Sequence, residues 1–181
     1  AETASVFGEM MTFRTLLAES SSETKKYLLA SKIEDMINTV VRQISFFEFE
    51  KLVHNERKNG ELSSDQICEF WIKTQSESLG PHIELTEGYK YFWTYIPHFI
   101  HTPFYVYAYA FGDCLVNVLI QLYDEGLPDF KNNYIELLKS GGSKHYSEVL
   151  KPFNVDLKNK DSWQKGLSMI SGLIDEFEKA I

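Results

Sequence analysis

Apolar side chains recur at helical spacing along most of this chain, and the interruptions between them are residues that end helices. The opening stretch, ETASVFGEMMTF, reads as helix until Ser20, Ser21 and Ser22 break it and offer an N-cap for the next one. From about Glu23 to Lys58 there is neither proline nor glycine. Leu28, Leu29, Ile33, Met36, Ile37, Val40, Val41, Ile44, Phe47 and Leu52 predict one long helix there, closed by Asn59 and Gly60. A further helix starts after Ser63 or Ser64, carries Ile67, Phe70, Trp71 and Ile72, and stops at Leu79, Gly80 and Pro81. The aromatic run YKYFWTYI fits a strand or a helix, and its helical surroundings favour helix. The most apolar segment predicts a central helix from Pro103 to about Tyr123, with Thr102 as N-cap. Three more follow: Pro128 to Lys139, a short one capped by Ser143, and a last one from Asp161 through Trp163, Leu167, Ile170, Leu173, Ile174 and Phe177. The expected architecture is all-α, a multi-helix assembly packed around the buried central helix.

Composition narrows the functional classes. With 181 residues and 44% apolar content the chain can form a sizeable core as one domain or as a piece of a larger one. A formal charge of -8, with both signs interspersed, argues against nucleic acid or an anionic membrane as partner. The run from Phe104 to Leu122 is interrupted by Gly112, Asp113, Asn117 and Gln121, so it reads as a buried helix and not as a membrane span. Cys68 and Cys114 lack metal-ligand or disulfide-framework spacing, which fits a reducing cytoplasm. The opening AETASVFGEM has no basic n-region and looks like the middle of a helix, which suggests a sequence that begins inside a longer protein.

Candidate chemistry is concentrated between Tyr95 and Asn117. His98 and His101 follow Pro97, and Tyr105, Tyr107 and Tyr109 follow Pro103. On a helix starting at Pro103, Tyr105 and Tyr109 share a face and Tyr107 lies nearly opposite. Imidazoles and phenols would then converge near backbone N–H groups, an arrangement suited to an anion or a developing oxyanion. Tyrosines packed into a helical core with tethered hydroxyls account for the same spacing. Near the amino terminus, Glu2, Ser5 and Glu9 share one helix face. The two carboxylates lie about 10 Å apart along the axis, too far to ligate one ion together. One could bind a metal while the other orients a ligating histidine; an exposed acidic stripe is the alternative. Gly141 and Gly142 permit close backbone approach by a ligand, although a helix C-cap produces the same pair.

Taken together, AETASVFGEM, FEFEKLVH, YIPHF, TPFYVYAYAFGDCLVN and the late GGS turn before a Trp-bearing helix resemble, in order, the C-terminal part of the oligoendopeptidase F group. That group lies within the thimet-oligopeptidase-like family of zinc metallopeptidases. The resemblance implies one zinc ion, held by two histidines of an HExxH helix and a glutamate on the following helix, with the HExxH glutamate as general base. Glu2 matches the third ligand, and Glu9, with Ser5 beside it, a second acidic position on that helix. His98, His101, Tyr105 and Tyr109 match the group that binds the peptide carbonyl and its oxyanion. His101 stands where many relatives carry tyrosine. Tyr107 shares the motif as a substrate-binding or packing residue, and Gly141 and Gly142 as substrate-binding backbone. One departure is large: the five histidines, His54, His82, His98, His101 and His145, form no HExxH. The expectation is therefore a C-terminal portion of a peptidase catalytic domain, residues 1–181, completed by an upstream HExxH-bearing part of the same protein. It would hydrolyse internal bonds of short peptides in the cytoplasm. The alternative is a non-catalytic helical module that binds peptides or a partner.

Overall fold

The computed structural model describes residues 2–180, with the side chain of Glu2 outside the described set. Among the described residues every regular element is helical. In chain order they are α1 (Glu2–Glu19), α2 (Ser22–Ile37), α3 (Gln43–Glu56), α4 (Ser64–Leu79), α5 (His98–His101), α6 (Tyr107–Asp124), α7 (Phe130–Ser140), α8 (Tyr146–Val149) and α9 (Lys160–Ala180). A π-helical turn, Asn38–Arg42, joins α2 to α3, and a 3-10 helix spans Glu87–Tyr95. Two compact units result. One takes in the residues up to Met36 together with those from Gly112 onward, and the other is Ile37–Phe111.

The Ile37–Phe111 unit is built on aromatic packing. Phe46 and Phe49 of α3 meet Trp71 of α4 at 5.3 and 5.2 Å between ring centroids, and Phe99 of α5 and Val106 close the cluster. Phe46 and Phe49 are three apart, so one face of α3 supplies both. α4 begins on a complete capping box: Ser63 Oγ accepts from the Gln66 N–H, and the Gln66 side chain accepts from the Ser63 N–H. It ends at Gly80, whose φ of 76° suits a residue without Cβ. Polar atoms inside the unit are used to pin the aromatic 3-10 segment. Trp71 Nε1 donates to the Tyr89 carbonyl at 3.0 Å, and Tyr89 Oη donates to Gln75 Oε1 at 3.3 Å. The segment that leads into His98 is thereby tied to α4.

In the other unit, residues 112–120 of α6 are all buried, as expected of a central helix. Phe7 of α1 lies 4.5 Å from the Tyr134 ring of α7, and Phe130 packs on Phe153 at 5.5 Å. Tyr134 Oη donates to the Thr3 carbonyl at 3.0 Å. Arg14 and Asp124 make a two-pronged ion pair at 2.8 Å.

Several expected boundaries shift. The expected long helix carries a π-helical turn at Asn38–Arg42, where three consecutive β-branched residues, Thr39, Val40 and Val41, fit α geometry poorly. YKYFWTYI is helical but 3-10. The short helix α8 is capped by His145, whose Nδ1 accepts from the Ser147 N–H, while Ser143 Oγ turns back to the Ser140 carbonyl. At α9, Asn159 Oδ1 accepts from the Asp161 N–H, so the cap lies two residues before the expected Asp161.

Candidate functional site

The largest correction falls on the candidate site. Thr102 does not start a helix from Pro103; it ends α5, and α6 begins only at Tyr107. Between them Phe104 adopts φ 59°, a left-handed conformation that costs a bulky residue on the order of 1 to 3 kcal/mol. Its surroundings hold it there. Its N–H donates to Glu50 Oε1 at 2.9 Å, and its ring lies 4.7 Å from that of His54 and 6.3 Å from that of Phe47. Phe47, Glu50 and His54 share one face of α3, so a single helix stripe grips the turn.

The consequence is the placement of Tyr105. Its ring stacks parallel to His98 at 6.3 Å, with 7° between planes, and meets Tyr109 edge-on at 5.6 Å. His98 Nε2 and Tyr109 Oη share a hydrogen bond of 3.1 Å. Three of the expected residues, His98, Tyr105 and Tyr109, therefore form one cluster, brought together by a turn between two helices and not by i,i+4 spacing on one helix. Tyr105 is 41% exposed, and His98 and Tyr109 are half-buried, so the cluster opens on solvent from a packed base.

Backbone N–H groups of the helix start do not converge on this cluster as expected. The Ala108 N–H donates to the Tyr105 carbonyl and the Tyr109 N–H to the Val106 carbonyl, so side chains must supply the donors. His101 is exposed on the last turn of α5. Tyr107 is half exposed, and its ring packs against Phe47 at 5.5 Å.

The remaining candidates belong to the other unit. Ser5 and Glu9 are exposed on α1, and Glu9 is ion-paired to Lys32 of α2, which is buried and also bonded to Asp35 at 3.3 Å. Burial works against the Lys32 ammonium, yet the hydrogen bond and charge of Glu9, with Asp35 behind them, hold its pKa above the usual value. Gly141 ends α7 with φ 51°, and Gly142 has open space where a Cβ would stand. The Glu2 side chain, the expected metal ligand, lies outside the described residues. Among the described residues no group of three or more His, Cys, Asp or Glu side chains could hold a metal ion.

Two buried carboxylates with strongly constrained surroundings are not among the residues that the sequence offered as site candidates. Glu50 is 2% exposed, and its Oε2 is buried without a hydrogen-bond partner. Burial raises its pKa, against the opposing pull of the Phe104 N–H and of the His54 and His98 imidazoles. A signal was present, since Phe46 and Glu50 are four apart and a carboxylate on a buried aromatic face must find a donor. Asp113 is 4% exposed, accepts from Asn117 Nδ2 at 3.0 Å, and is raised to about 6 by burial. Burial next to Asp113 pushes the Cys114 thiol up to about 12, which removes it as a thiolate nucleophile near neutral pH.

Residues 1–169 match the model of peptidase family M3, and this chain belongs to that family. It is 32% identical over 181 residues to an oligoendopeptidase F homolog of Borreliella burgdorferi, covering 99% of this chain and 30% of that protein. Oligopeptidase PepF of Bacillus subtilis is 30% identical over 184 residues, covering 100% of this chain and 27% of that one. Among solved structures, oligoendopeptidase-F from Enterococcus faecium superposes with a TM-score of 0.88 at 28% identity, over 98% of this chain and 34% of that chain. A putative peptidase from Chlamydophila abortus gives 0.87 at 29% identity, over 99% and 30%. The chain thus spans about 30% of the length of the curated relatives it matches.

Proposed function

We propose that this chain is the C-terminal catalytic portion of a zinc-dependent endopeptidase that hydrolyses internal bonds of short peptides. The observation that carries the proposal is the His98–Tyr109 pair with Tyr105 against it, in a chain of peptidase family M3. Zinc, when bound, would polarise the scissile carbonyl and lower the pKa of the attacking water. Glu2 is assigned one donor position by its match to the third ligand of that family, with two histidines and the general base assigned to another part of the full-length protein.

His98, Tyr105 and Tyr109 are assigned the peptide carbonyl and its oxyanion. One proton lies between His98 Nε2 and Tyr109 Oη. As the carbonyl oxygen gains charge, the pair is assigned one outward donor, the phenol of Tyr109 when the imidazole N–H is given to its oxygen, at a partly dry surface where a fixed dipole costs no reorganisation. Tyr105 buttresses both rings and presents a further hydroxyl. His101, exposed on the same short helix, and Tyr107, packed on Phe47, would contact the peptide beyond the reacting bond. The backbone at Gly141 and Gly142 is assigned to substrate binding. Free, buried Cys68 and Cys114 support a reducing compartment such as the cytoplasm. No described helix is long and apolar enough to cross a membrane.

The test uses the full-length protein. Tyr109→Phe deletes one oxyanion donor and is expected to lower kcat by about 100-fold with little change in KM. Glu2→Gln is expected to strip zinc while the fold persists. Wild-type zinc content in the second, together with wild-type turnover in the first, would remove both assignments; a full-length protein without peptidase turnover would favour a peptide-binding module.

A further inference from the structure

We infer that Glu50 is the positioning residue of this cluster: from α3 its carboxylate fixes the left-handed Phe104 turn, and that turn delivers Tyr105 to His98 and Tyr109. The inference deepens the peptidase reading and rests on it for its kinetic consequence. Its geometric part stands independently.

A phenylalanine at φ 59° has no intrinsic reason to stay there, since Gly or Asn would occupy the same region at less cost. Release of Phe104 to an ordinary φ would swing the chain just before Tyr105 and separate the stacked imidazole and phenol rings. From outside the turn its backbone is held by Glu50: the Phe104 N–H donates to Glu50 Oε1 at 2.9 Å. The same carboxylate is 2% exposed and leaves Oε2 buried without a partner. A group buried at that cost solely to fill space would be better served by an apolar side chain. Phe47 and His54 complete the grip on the Phe104 ring. Val106, fully buried in the aromatic core, anchors the far side of the turn. Tyr105 thus lies between two fixed neighbours, Phe104 held by a hydrogen bond and Val106 by apolar packing.

The test separates reach from charge. In the full-length protein, Glu50→Gln keeps an acceptor oxygen at the same length, and Glu50→Asp keeps the charge but withdraws it by one methylene. Glu50→Asp is expected to lower kcat by about 10-fold to 100-fold with KM little changed, and Glu50→Gln to stay within about threefold of wild type. Hydrogen exchange supplies a readout independent of turnover. The Phe104 amide is expected to be protected by at least about 100-fold in the unmodified protein, to remain so in Glu50→Gln, and to lose protection in Glu50→Asp. Loss of kcat in Glu50→Gln with retention in Glu50→Asp would overturn the inference, as would an unprotected Phe104 amide in the wild type. The wild-type measurement decides the case even if Glu50→Asp does not fold. Absence of peptidase turnover in the wild type, with the exchange pattern as stated, would defeat the peptidase reading and leave the role of Glu50 in the turn intact.

Discussion

Asp113 is a buried acid in the middle of the most apolar helix. Its pKa rises from 3.8 to about 6 because burial penalises the carboxylate, with Asp35 and Glu9 adding repulsion; Lys32 and the Asn117 amide offset part of this. The folded state therefore binds the proton more tightly than the unfolded chain. Its contribution to stability is fully present below pH 3.8 and is lost as pH rises to about 6. The loss amounts to at most about 3 kcal/mol. Asp113→Asn keeps an acceptor for Asn117 and carries no charge, so it is expected to stabilise the protein at pH 7 by about 1 to 3 kcal/mol. Urea denaturation at several pH values reads this out, and an undiminished fall in stability between pH 4 and 6 in the variant would exclude Asp113 as its source. At this scale the sequence was partly legible. Asp113 and Asn117 stood out as interruptions of an apolar run, but their mutual hydrogen bond and the nearby Lys32 came from the fold.

Among the elements, α9 shows how one missing side chain permits contact. At Gly166 an added Cβ would stand 2.6 Å from the Cys114 carbonyl oxygen and 3.3 Å from two further backbone atoms of Cys114. Helix backbone cannot yield as a flexible side chain can, so Gly166→Ala is expected to destabilise by about 1 to 3 kcal/mol. Gly172, on the same helix, has nothing within 4 Å of its notional Cβ. There the gain in helix propensity dominates, and Gly172→Ala is expected to stabilise by about 0.5 to 1 kcal/mol. Paired denaturation curves test the contrast, and two changes of the same sign would refute it. Periodicity revealed both helices without distinguishing the two glycines, since close approach is a property of the partner. Capping was readable where side chain and sequence motif coincide, as at Ser63 and Gly80. It was misread at Thr102, where the expected helix start is a helix end.

For the whole molecule, the family match bears on the metal. The chain spans about 30% of its curated relatives and among its described residues offers no metal-binding group of three. Expressed alone, it is expected to retain no stoichiometric zinc after desalting, whereas the full-length protein should carry about one ion, since affinity needs three protein ligands in place together. Elemental analysis of both decides this, and one tightly held zinc in the short chain would contradict the assignment of Glu2 as a lone donor. The sequence by itself determined the helical class, most of the element order, the buried centre of α6 and which polar aromatics to watch, because each depends on local spacing and composition. Tertiary structure alone decided how His98, Tyr105 and Tyr109 meet, and that Glu50 secures them. A left-handed phenylalanine is disfavoured locally and persists only because a helix distant in sequence supplies its hydrogen-bond acceptor and packing surface.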